Sequence, residues 1–362
     1  MPEHHVVLIH PDLGFSGRTE RMIATAGALR AAGARVTVVT QRGSRTAALE
    51  AAGVEARFVE LPLEPWQSPF RLARTRAAVA QLRPDSLHVT DQVLAGLGAA
   101  LARLLRRPYA IEFLRAVSGP VPLHAALCTR AIVASEPLAE GLVNRGRVPR
   151  EKVSVVHHAP VPVEPRATPD LWDGVPFAHG QRPRVGCSGH LDAANGTDWF
   201  LEAARLLVLG GQPCVFGVLG EGPQEHALRR RARELGIAEH VTVGVPTTLR
   251  SADSLGALDV HVATRWDCGP GWLAQEAMVQ GVPAVLAAVG NAYEMIEDKR
   301  SGVLVEAGNA RRLADEIASL IVNGEVARRM GRTGRERVLE LHPREEFERA
   351  VAEVHLGNAV RA

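Results

Sequence analysis

The sequence is poor in cysteine and aromatic residues, and it contains no long apolar run. Its four cysteines show no CxxC spacing, which argues against a zinc site and against a disulfide framework. They are Cys128, Cys187, Cys214 and Cys268. Aromatic residues make up 4% of the chain and do not alternate with basic residues, so we expect no nucleic-acid partner. No apolar stretch approaches the roughly 20 residues that a membrane-spanning helix needs.

Lysine is also scarce, because Lys152 and Lys299 are the only two. The net charge is +2, but residues 1–165 carry +6 and the remainder carries −4. Most of the excess lies in Arg71, Arg74 and Arg76 and in Arg103, Arg106 and Arg107. Such clusters attract an anionic membrane surface or a phosphorylated acceptor, although solvated helix faces look the same in a sequence. The start of the chain lacks the regions of a signal peptide, and we expect a cytoplasmic protein, peripheral to the inner membrane face if the clusters bind lipid.

Apolar runs alternate with helical patterns along the whole chain. Strands are predicted at residues 6–9, 36–39, 56–59, 86–89, 109–113, 131–134, 153–156, 184–187, 214–219, 241–243, 260–263 and 283–286. Helices are predicted at residues 18–32, 197–209, 223–235 and 272–280. Strands that are apolar on both faces and alternate with helices indicate parallel sheets covered on both sides.

A proline-rich stretch divides the pattern in two. We therefore predict domains at residues 1–165 and 184–341, joined by a linker at 166–183. In sheets of this kind, ligands lie beyond the carboxyl ends of the strands.

The stretch at residues 259–305 combines a strand, a glycine-rich turn, a helix and a second strand. The turn, DCGPG at 267–271, opens directly onto the helix. A helix N-terminus that follows such a turn has free backbone N–H groups, which favour an anion such as a diphosphate. An ordinary strand-to-helix turn has the same sequence pattern, so the rest of the chain must decide between them.

Short motifs in the second half resemble the retaining glycosyltransferases of family 4. They are GEGP at 220–223, LGI at 235–237, HVTVG at 240–244, EAM at 276–278, GVPA at 281–284, VG at 289–290, EMI at 294–296, SGVLV at 301–305, MG at 330–331 and HP at 342–343. The first half matches more loosely, at 17–21, 134–136 and 152–156. The resemblance implies the GT-B fold, with two Rossmann-like doubly wound parallel-sheet domains facing across a cleft. It also implies that a last helix, at 342–362, packs on the first domain.

The same resemblance implies a reaction. Such enzymes move a hexose from a nucleoside-diphosphate sugar, here a UDP- or GDP-sugar, to the hydroxyl of a glycan, lipid-linked or small-molecule acceptor in glycan biosynthesis. They need no metal ion and no cofactor besides this co-substrate. The first domain would bind the acceptor and the second the donor.

Family positions can be transferred residue by residue. By resemblance, the catalytic carboxylates are Asp267 and Glu276, and Glu276 binds the donor ribose. The start of the helix, at Gly271, Trp272 and Leu273, would hold the diphosphate. The other predicted donor-binding residues are Gly17, Arg18, His190, Asn195, Gly220, Val243, Gly244, Cys268 and Gly269.

Several family positions are altered. His190 and Asn195 replace the arginine and lysine that grip the donor phosphates, and two charged hydrogen bonds of about 1.5–3 kcal/mol each are lost with them. The first of two family glutamates falls on Cys268 by strict spacing. We prefer Asp267, with a turn one residue longer, because aspartate keeps the chemistry.

The first half departs from the family as well. Phe113 or Leu114 stands where a histidine is usual, and Gly17-Arg18 replaces a glycine pair. Polar candidates near these strand ends are Glu112, Arg115, His88, His157 and His158.

Two hypotheses of different classes follow from this pattern. The favoured one is an active transferase with an atypical donor-phosphate site. The alternative is a weak or inactive GT-B protein that serves as a glycan-binding or partner subunit. A dehydrogenase is disfavoured, because neither 12–17 nor 186–189 has the Gly-x-Gly-x-x-Gly spacing.

Overall fold

A computed structural model describes residues 3–64, 66, 68–160, 162–163, 182–212, 214–244, 251–269 and 271–357. The chain forms two compact units. The first comprises Met1–Gly14, Arg18–His158 and Arg344–Ala362, and the second comprises Phe15–Gly17 and Ala159–Pro343. Most of the predicted linker at 166–183 lies outside the described residues.

The first unit contains a parallel sheet, which has seven strands in the described part of the chain. The strands are β1 (His5–Asp12), β2 (Arg35–Gln41), β3 (Glu55–Phe58), β4 (Ser86–Val89), β5 (Tyr109–Phe113), β6 (Cys128–Val133) and β7 (Val153–Val155). The helices between them are α1 (Gly17–Ala31), α2 (Thr46–Ala51), α3 (Pro69–Gln81), α4 (Ala95–Leu105) and α5 (Glu136–Asn144). The strand order is β3-β2-β1-β4-β5-β6-β7.

The second unit repeats this plan with six strands among its described residues. They are β8 (Arg184–Ser188), β9 (Val215–Leu219), β10 (Val241–Val243), β11 (Val260–Ala263), β12 (Ala284–Ala287) and β13 (Val303–Val305), in the order β10-β9-β8-β11-β12-β13. Its helices are α6 (Thr197–Leu209), α7 (Glu225–Glu234), α8 (Ser251–Gly256), α9 (Trp272–Val279), α10 (Ala292–Met295), α11 (Ala310–Val322) and α12 (Gly324–Leu341). The last helix, α13 (Arg344–Leu356), belongs to the first unit.

The predicted architecture of two parallel-sheet α/β domains is confirmed. Strands β4, β5 and β12 are buried at every residue, although β4 and β5 each include polar side chains, among them His88 and Glu112. Boundaries differ where a polar residue interrupts an apolar run. Strand β6 begins three residues earlier than predicted, because Cys128 and the exposed Arg130 still pair with β5.

A buried ion pair lies inside the first unit. Arg21 of α1 and Glu112 of β5 are at most 1% exposed, and the Nε of Arg21 donates to the Glu112 carboxylate at 3.0 Å. Arg21 also donates to the backbone carbonyl of Val156 at 3.0 Å. Burial alone would raise the pKa of Glu112, but the charge of Arg21 and a hydrogen bond from His88 outweigh it, so this pKa is lowered. Glu112 is therefore ionised near neutral pH.

The same network reaches the last helix. The Nδ1 of His88 lies 2.8 Å from the Nε2 of His355 in α13, and the Nδ1 of His355 lies 3.0 Å from the hydroxyl of Ser86. The guanidinium of Arg21 also lies 5.3 Å from the ring centroid of Phe347 in α13. The last helix is therefore joined to β4 and α1 by polar contacts in the interior.

We expect Glu112→Gln to lower the free energy of unfolding by about 3–5 kcal/mol, because Arg21 would stay buried without a counter-charge. Urea denaturation near neutral pH measures this. The matched control is Glu60→Gln, which breaks the exposed pair between Glu60 and Arg71 and should cost less than about 1 kcal/mol. Equal losses in the two variants would contradict the structural importance of the buried pair.

Candidate functional site

Each sheet has one point where the strand order reverses. It lies between β1 and β4 in the first unit and between β8 and β11 in the second. Loops that leave neighbouring strands at such a point diverge and open a crevice at the carboxyl edge of the sheet, which is where ligands bind in folds of this kind. Most of the predicted site residues of the second unit lie at this edge.

The loops after β8 and β11 are joined by an arginine held between two carboxylates. The Nη2 of Arg265 donates to both oxygens of Asp192, at 2.9 and 3.1 Å, and its Nη1 donates to Asp267 Oδ1 at 2.8 Å. The three side chains are 16%, 21% and 22% exposed. They are thus close to solvent but largely enclosed.

Further hydrogen bonds connect the same two loops. The hydroxyl of Thr264 donates to the carbonyl of Asn195 at 2.6 Å, and the backbone N–H of Trp266 donates to the carbonyl of Ala194 at 3.2 Å. Asp192 also accepts a hydrogen bond from the backbone N–H of Asn195 at 3.0 Å. The two loops therefore form one fixed surface at the reversal point of the sheet.

The charge at this surface is not positive. Burial alone would lower the pKa of Arg265, but the neighbouring Cys268, Asp267 and Asp192 outweigh burial and raise it. One guanidinium faces two carboxylates, so the three side chains together carry a formal charge of about −1 at neutral pH. Asp267, the predicted sugar-contacting carboxylate, is engaged by this arginine.

The two residues that replace the family cations have different surroundings. His190 is half-buried in the loop after β8. Asn195 is 2% exposed, and its side-chain amide donates to the hydroxyl of Thr197 at 3.0 Å. The prediction that Asn195 contacts the donor is not supported by this placement, because its amide is used to hold the loop at the start of α6.

The start of α9 is the predicted binding site for the diphosphate. Gly271 is the N-cap and has no side chain to occupy the first backbone N–H groups of the helix. Gly17 belongs to the same unit, and a Cβ built on it would lie 3.2 Å from the Cβ of Trp272 and 3.6 Å from the nitrogen of Leu273. Trp272 and Leu273 are buried, and so is Glu276, one turn further along the helix. The N-terminus of α9 and the carboxylate of Glu276 therefore lie close together on one helix.

The turn before this helix depends on close backbone packing. Gly269 has a φ of +85°, and a Cβ there would lie 2.7 Å from the carbonyl oxygen of Val289. Gly290 has a φ of +56°, and a Cβ there would lie 2.5 Å from the carbonyl oxygen of Cys268. The turns after β11 and β12 thus interlock through two glycines. Cys268 is a half-buried residue of this contact.

The remaining predicted donor-binding residues line the next strand ends. A Cβ on Gly220, after β9, would lie 1.9 Å from the carbonyl oxygen of Gly189, so this glycine permits the loops after β8 and β9 to touch. Val243 is buried at the end of β10. Gly244, which follows it, has a φ of +73° beside the side chain of Glu225.

In the first unit, the reversal point carries a second set of charges. Arg18 donates to Asp12 at 2.8 Å and to Asp91 at 3.3 Å, and Arg115 lies 3.5 Å from Asp91. His10 lies beneath them, fully buried, with its Nδ1 2.6 Å from the hydroxyl of Thr90. Burial and the charge of Arg18 lower the pKa of His10 to about 4, so the ring is neutral.

The burial of two polar candidates in the first unit shows that the prediction of an accessible role for them was wrong. Glu112 and His88 are at most 1% exposed and contact each other, with the Nε2 of His88 3.3 Å from the Glu112 carboxylate. They belong to the buried network of Arg21 and cannot present polar atoms to a ligand. Arg115, at 33% side-chain exposure, remains accessible.

The sequence reasoning missed Arg265 and Asp192. The available signal was Arg265 itself, a charged residue two positions after a predicted strand, in a loop with no other arginine or lysine. It also missed the buried pair of Ser188 and His261, whose hydroxyl and Nε2 lie 2.8 Å apart under the same loops. Burial lowers the pKa of His261 to about 3.

We expect Gly220→Ala to destabilise the second unit by about 1–3 kcal/mol or more, because the new methyl group would overlap the Gly189 carbonyl. Thermal unfolding followed by circular dichroism measures the loss. Gly27→Ala is the control, since nothing lies within 4 Å of a Cβ built at that position in α1. It should be neutral or stabilising. A Gly220→Ala variant as stable as the wild type would show that the loops after β8 and β9 do not touch as described.

Two family descriptions match the chain. "Glycosyl transferase 4-like domain" matches residues 17–159, and "Glycosyl transferases group 1" matches residues 172–337. Among curated proteins, the chain is 30% identical over 166 residues to a GDP-mannose-dependent alpha-(1-6)-phosphatidylinositol monomannoside mannosyltransferase of Mycobacterium tuberculosis. It is 36% identical over 124 residues to a D-inositol 3-phosphate glycosyltransferase of Mycobacteroides abscessus.

These alignments cover 43% and 34% of this chain, and only 43% and 27% of the two relatives. Solved structures match along nearly the whole chain. Anabaena Alr3699/HepE, in complex with UDP-glucose, has a TM-score of 0.77 at 18% identity, covering 96% of this chain and 98% of that one. Sucrose-phosphate synthase from Thermosynechococcus elongatus has a TM-score of 0.74 at 17% identity, covering 99% and 100%.

The structural matches are too low in identity to show more than the fold. The two family descriptions, however, occur in the order and in the halves that the sequence motifs predicted. The chain therefore belongs to the family 4 glycosyltransferases and has the GT-B fold.

Proposed function

We propose that the chain is a retaining glycosyltransferase that moves a hexose from a nucleoside-diphosphate sugar to an acceptor hydroxyl. The observation that carries the proposal is the reversal point of the second sheet, where the loop that carries Asp267 leads into the helix that starts at Gly271 and carries the buried Glu276. The resemblance to the family assigns these residues to the donor. The matched relatives are named as mannosyl- and glycosyltransferases, and one is GDP-mannose-dependent. A matched structure contains UDP-glucose. UDP- and GDP-sugars are therefore the donor classes to test.

The proposed roles follow from charge and position. Glu276 is a carboxylate that accepts hydrogen bonds from two ribose hydroxyls. The first backbone N–H groups of α9 face the diphosphate and stabilise the charge that develops on it as the sugar leaves. Asp267 accepts hydrogen bonds from the sugar. In this mechanism the departing phosphate helps to deprotonate the acceptor hydroxyl, so neither a metal ion nor a protein base is required.

Calorimetric titration with UDP, GDP and ADP and with their common sugar conjugates tests the donor site. We expect one diphosphate to bind, and Glu276→Ala to weaken it about 10- to 100-fold, because charged hydrogen bonds of about 1.5–3 kcal/mol are lost. Glu234→Ala, which removes a half-exposed glutamate of α7, is the control and should leave affinity unchanged.

Two results would count against the proposal. If no nucleotide bound at millimolar concentration, the transferase assignment would fail, and the alternative of an inactive binding subunit would replace it. If Glu276→Ala bound as tightly as the wild type, the donor position would be wrong while the activity could stand.

The first unit is the proposed acceptor side, and its surface suits a lipid-linked acceptor at an anionic membrane. Trp66 and Phe70 are 70% and 73% exposed, and the guanidinium of Arg74 lies 5.9 Å from the Phe70 ring centroid. Exposed aromatics beside arginines match the chemistry of a headgroup interface. None of the helices in the described residues is long and apolar enough to cross a bilayer. We infer peripheral binding at the cytoplasmic face, where a reducing environment suits four free cysteines.

Vesicle sedimentation tests this surface. We expect the wild type to pellet with vesicles of phosphatidylglycerol and phosphatidylcholine at low salt and to be released at high salt, because surface charges are screened. Trp66→Ser with Phe70→Ser should abolish pelleting. Leu209→Ser, at a 69% exposed leucine of the second unit, is the matched control. Pelleting of the double variant at wild-type level would exclude this surface as the membrane contact.

A further inference from the structure

Four of the loops at the carboxyl edge of the second sheet contain almost no arginine or lysine. The loops that follow β8, β9, β11 and β12 span residues 189–196, 220–224, 264–271 and 288–291, and in sequence they contain one arginine and no lysine. That arginine is Arg265. For an anion that binds at the reversal point between β8 and β11, Arg265 is the one permanently positive side chain that these four loops offer.

The position of Arg265 is fixed by the two carboxylates beside it. Its hydrogen bonds to Asp192 and Asp267 use the two terminal nitrogens, and a guanidinium has five N–H groups in one plane. Two hydrogen bonds join it to Asp192 and one joins it to Asp267. Because Asp192 also accepts from the Asn195 backbone, it is the anchored partner, and Asp267 is the more easily exchanged one.

We propose that Arg265 binds the diphosphate of the donor and supplies positive charge at a site where His190 and Asn195 replace the family's arginine and lysine. This inference rests on the proposed function. The guanidinium stays anchored on Asp192 and gives its remaining N–H groups to phosphate oxygens, in the bidentate geometry that arginine forms with phosphate.

The exchange frees Asp267 for a second contact. In the structure, the Asp267 carboxylate accepts a hydrogen bond from Arg265 Nη1. When a phosphate takes that position, Asp267 can accept hydrogen bonds from the sugar hydroxyls instead. The diphosphate of the donor binds the Arg265 guanidinium, and its sugar binds the Asp267 carboxylate. A ligand with only one of these parts binds only one of the two side chains. Arg265 therefore couples recognition of the diphosphate to recognition of the sugar.

Calorimetric titration of the full chain with UDP and GDP, and with uridine and guanosine, tests the inference. For whichever diphosphate the wild type binds, Arg265→Gln should lower its affinity about 10- to 100-fold while the affinity of the matching nucleoside stays within about twofold. Arg265→Lys keeps the charge without the planar fork and should recover part of the loss. Arg311→Gln, at a 76% exposed side chain on α11, is the control and should change neither affinity.

The outcomes separate this inference from the proposed function. Wild type that binds none of UDP, GDP and ADP overturns both, and wild type that binds only ADP overturns neither but moves the test to ADP and adenosine, with the same expected result for Arg265→Gln. Wild type that binds one of them, with Arg265→Gln binding it equally well, overturns only the role of Arg265. Equal losses for diphosphate and nucleoside would show a merely structural arginine and also overturn the inference. If Arg265→Gln fails to unfold cooperatively, the ratio of diphosphate to nucleoside affinity in Arg265→Lys decides, and an unchanged ratio overturns it.

Discussion

Both sheets are parallel and covered by helices on their two faces, and this constraint determines where polar chemistry can occur. A side chain that points out of such a sheet meets an apolar helix, as Val260 and Val262 do, so ligands are confined to the loops beyond the strand ends. The polar side chains that do lie inside, such as Arg21 and Glu112, must satisfy one another. The arrangement of strands thus separates structural charges from accessible ones.

The two arginine–carboxylate groups of this chain illustrate that separation. Arg21 and Glu112 are at most 1% exposed, and their geometry is fixed by backbone carbonyls and by α13. Arg265 retains 16% side-chain exposure at a strand end, with carboxylates that are themselves about one-fifth exposed. The first pair can only hold the fold together. The second can exchange a partner with a ligand, because water already reaches it.

Most strands could be predicted because their signal is local: a short run of apolar residues is enough to mark β9 or β12. Fewer of the helices were assigned from the sequence. The side-chain partners could not be predicted. Arg265 and Asp192 are 73 positions apart, and their contact exists only because β8 and β11 are neighbours in a strand order that local patterns do not contain. The burial of Asn195 could not be predicted from the sequence either, because Thr264, which hydrogen-bonds to the Asn195 carbonyl, comes from the other loop. Family motifs predicted which residues bind the donor, but they could not say which polar residues were turned inward.

The membership of α13 in the first unit affects how the protein is made. His355 and Phe347 complete the interior around His88 and Arg21, yet they are translated after every strand of the second unit. On the ribosome, the N-terminal sheet therefore emerges with part of its interior uncovered. Some 185 further residues are translated before α13 can pack on it and complete the first unit. The second unit, by contrast, is almost continuous in sequence and can finish folding first. Synthesis from the amino end thus produces a protein whose carboxyl-terminal half matures earlier.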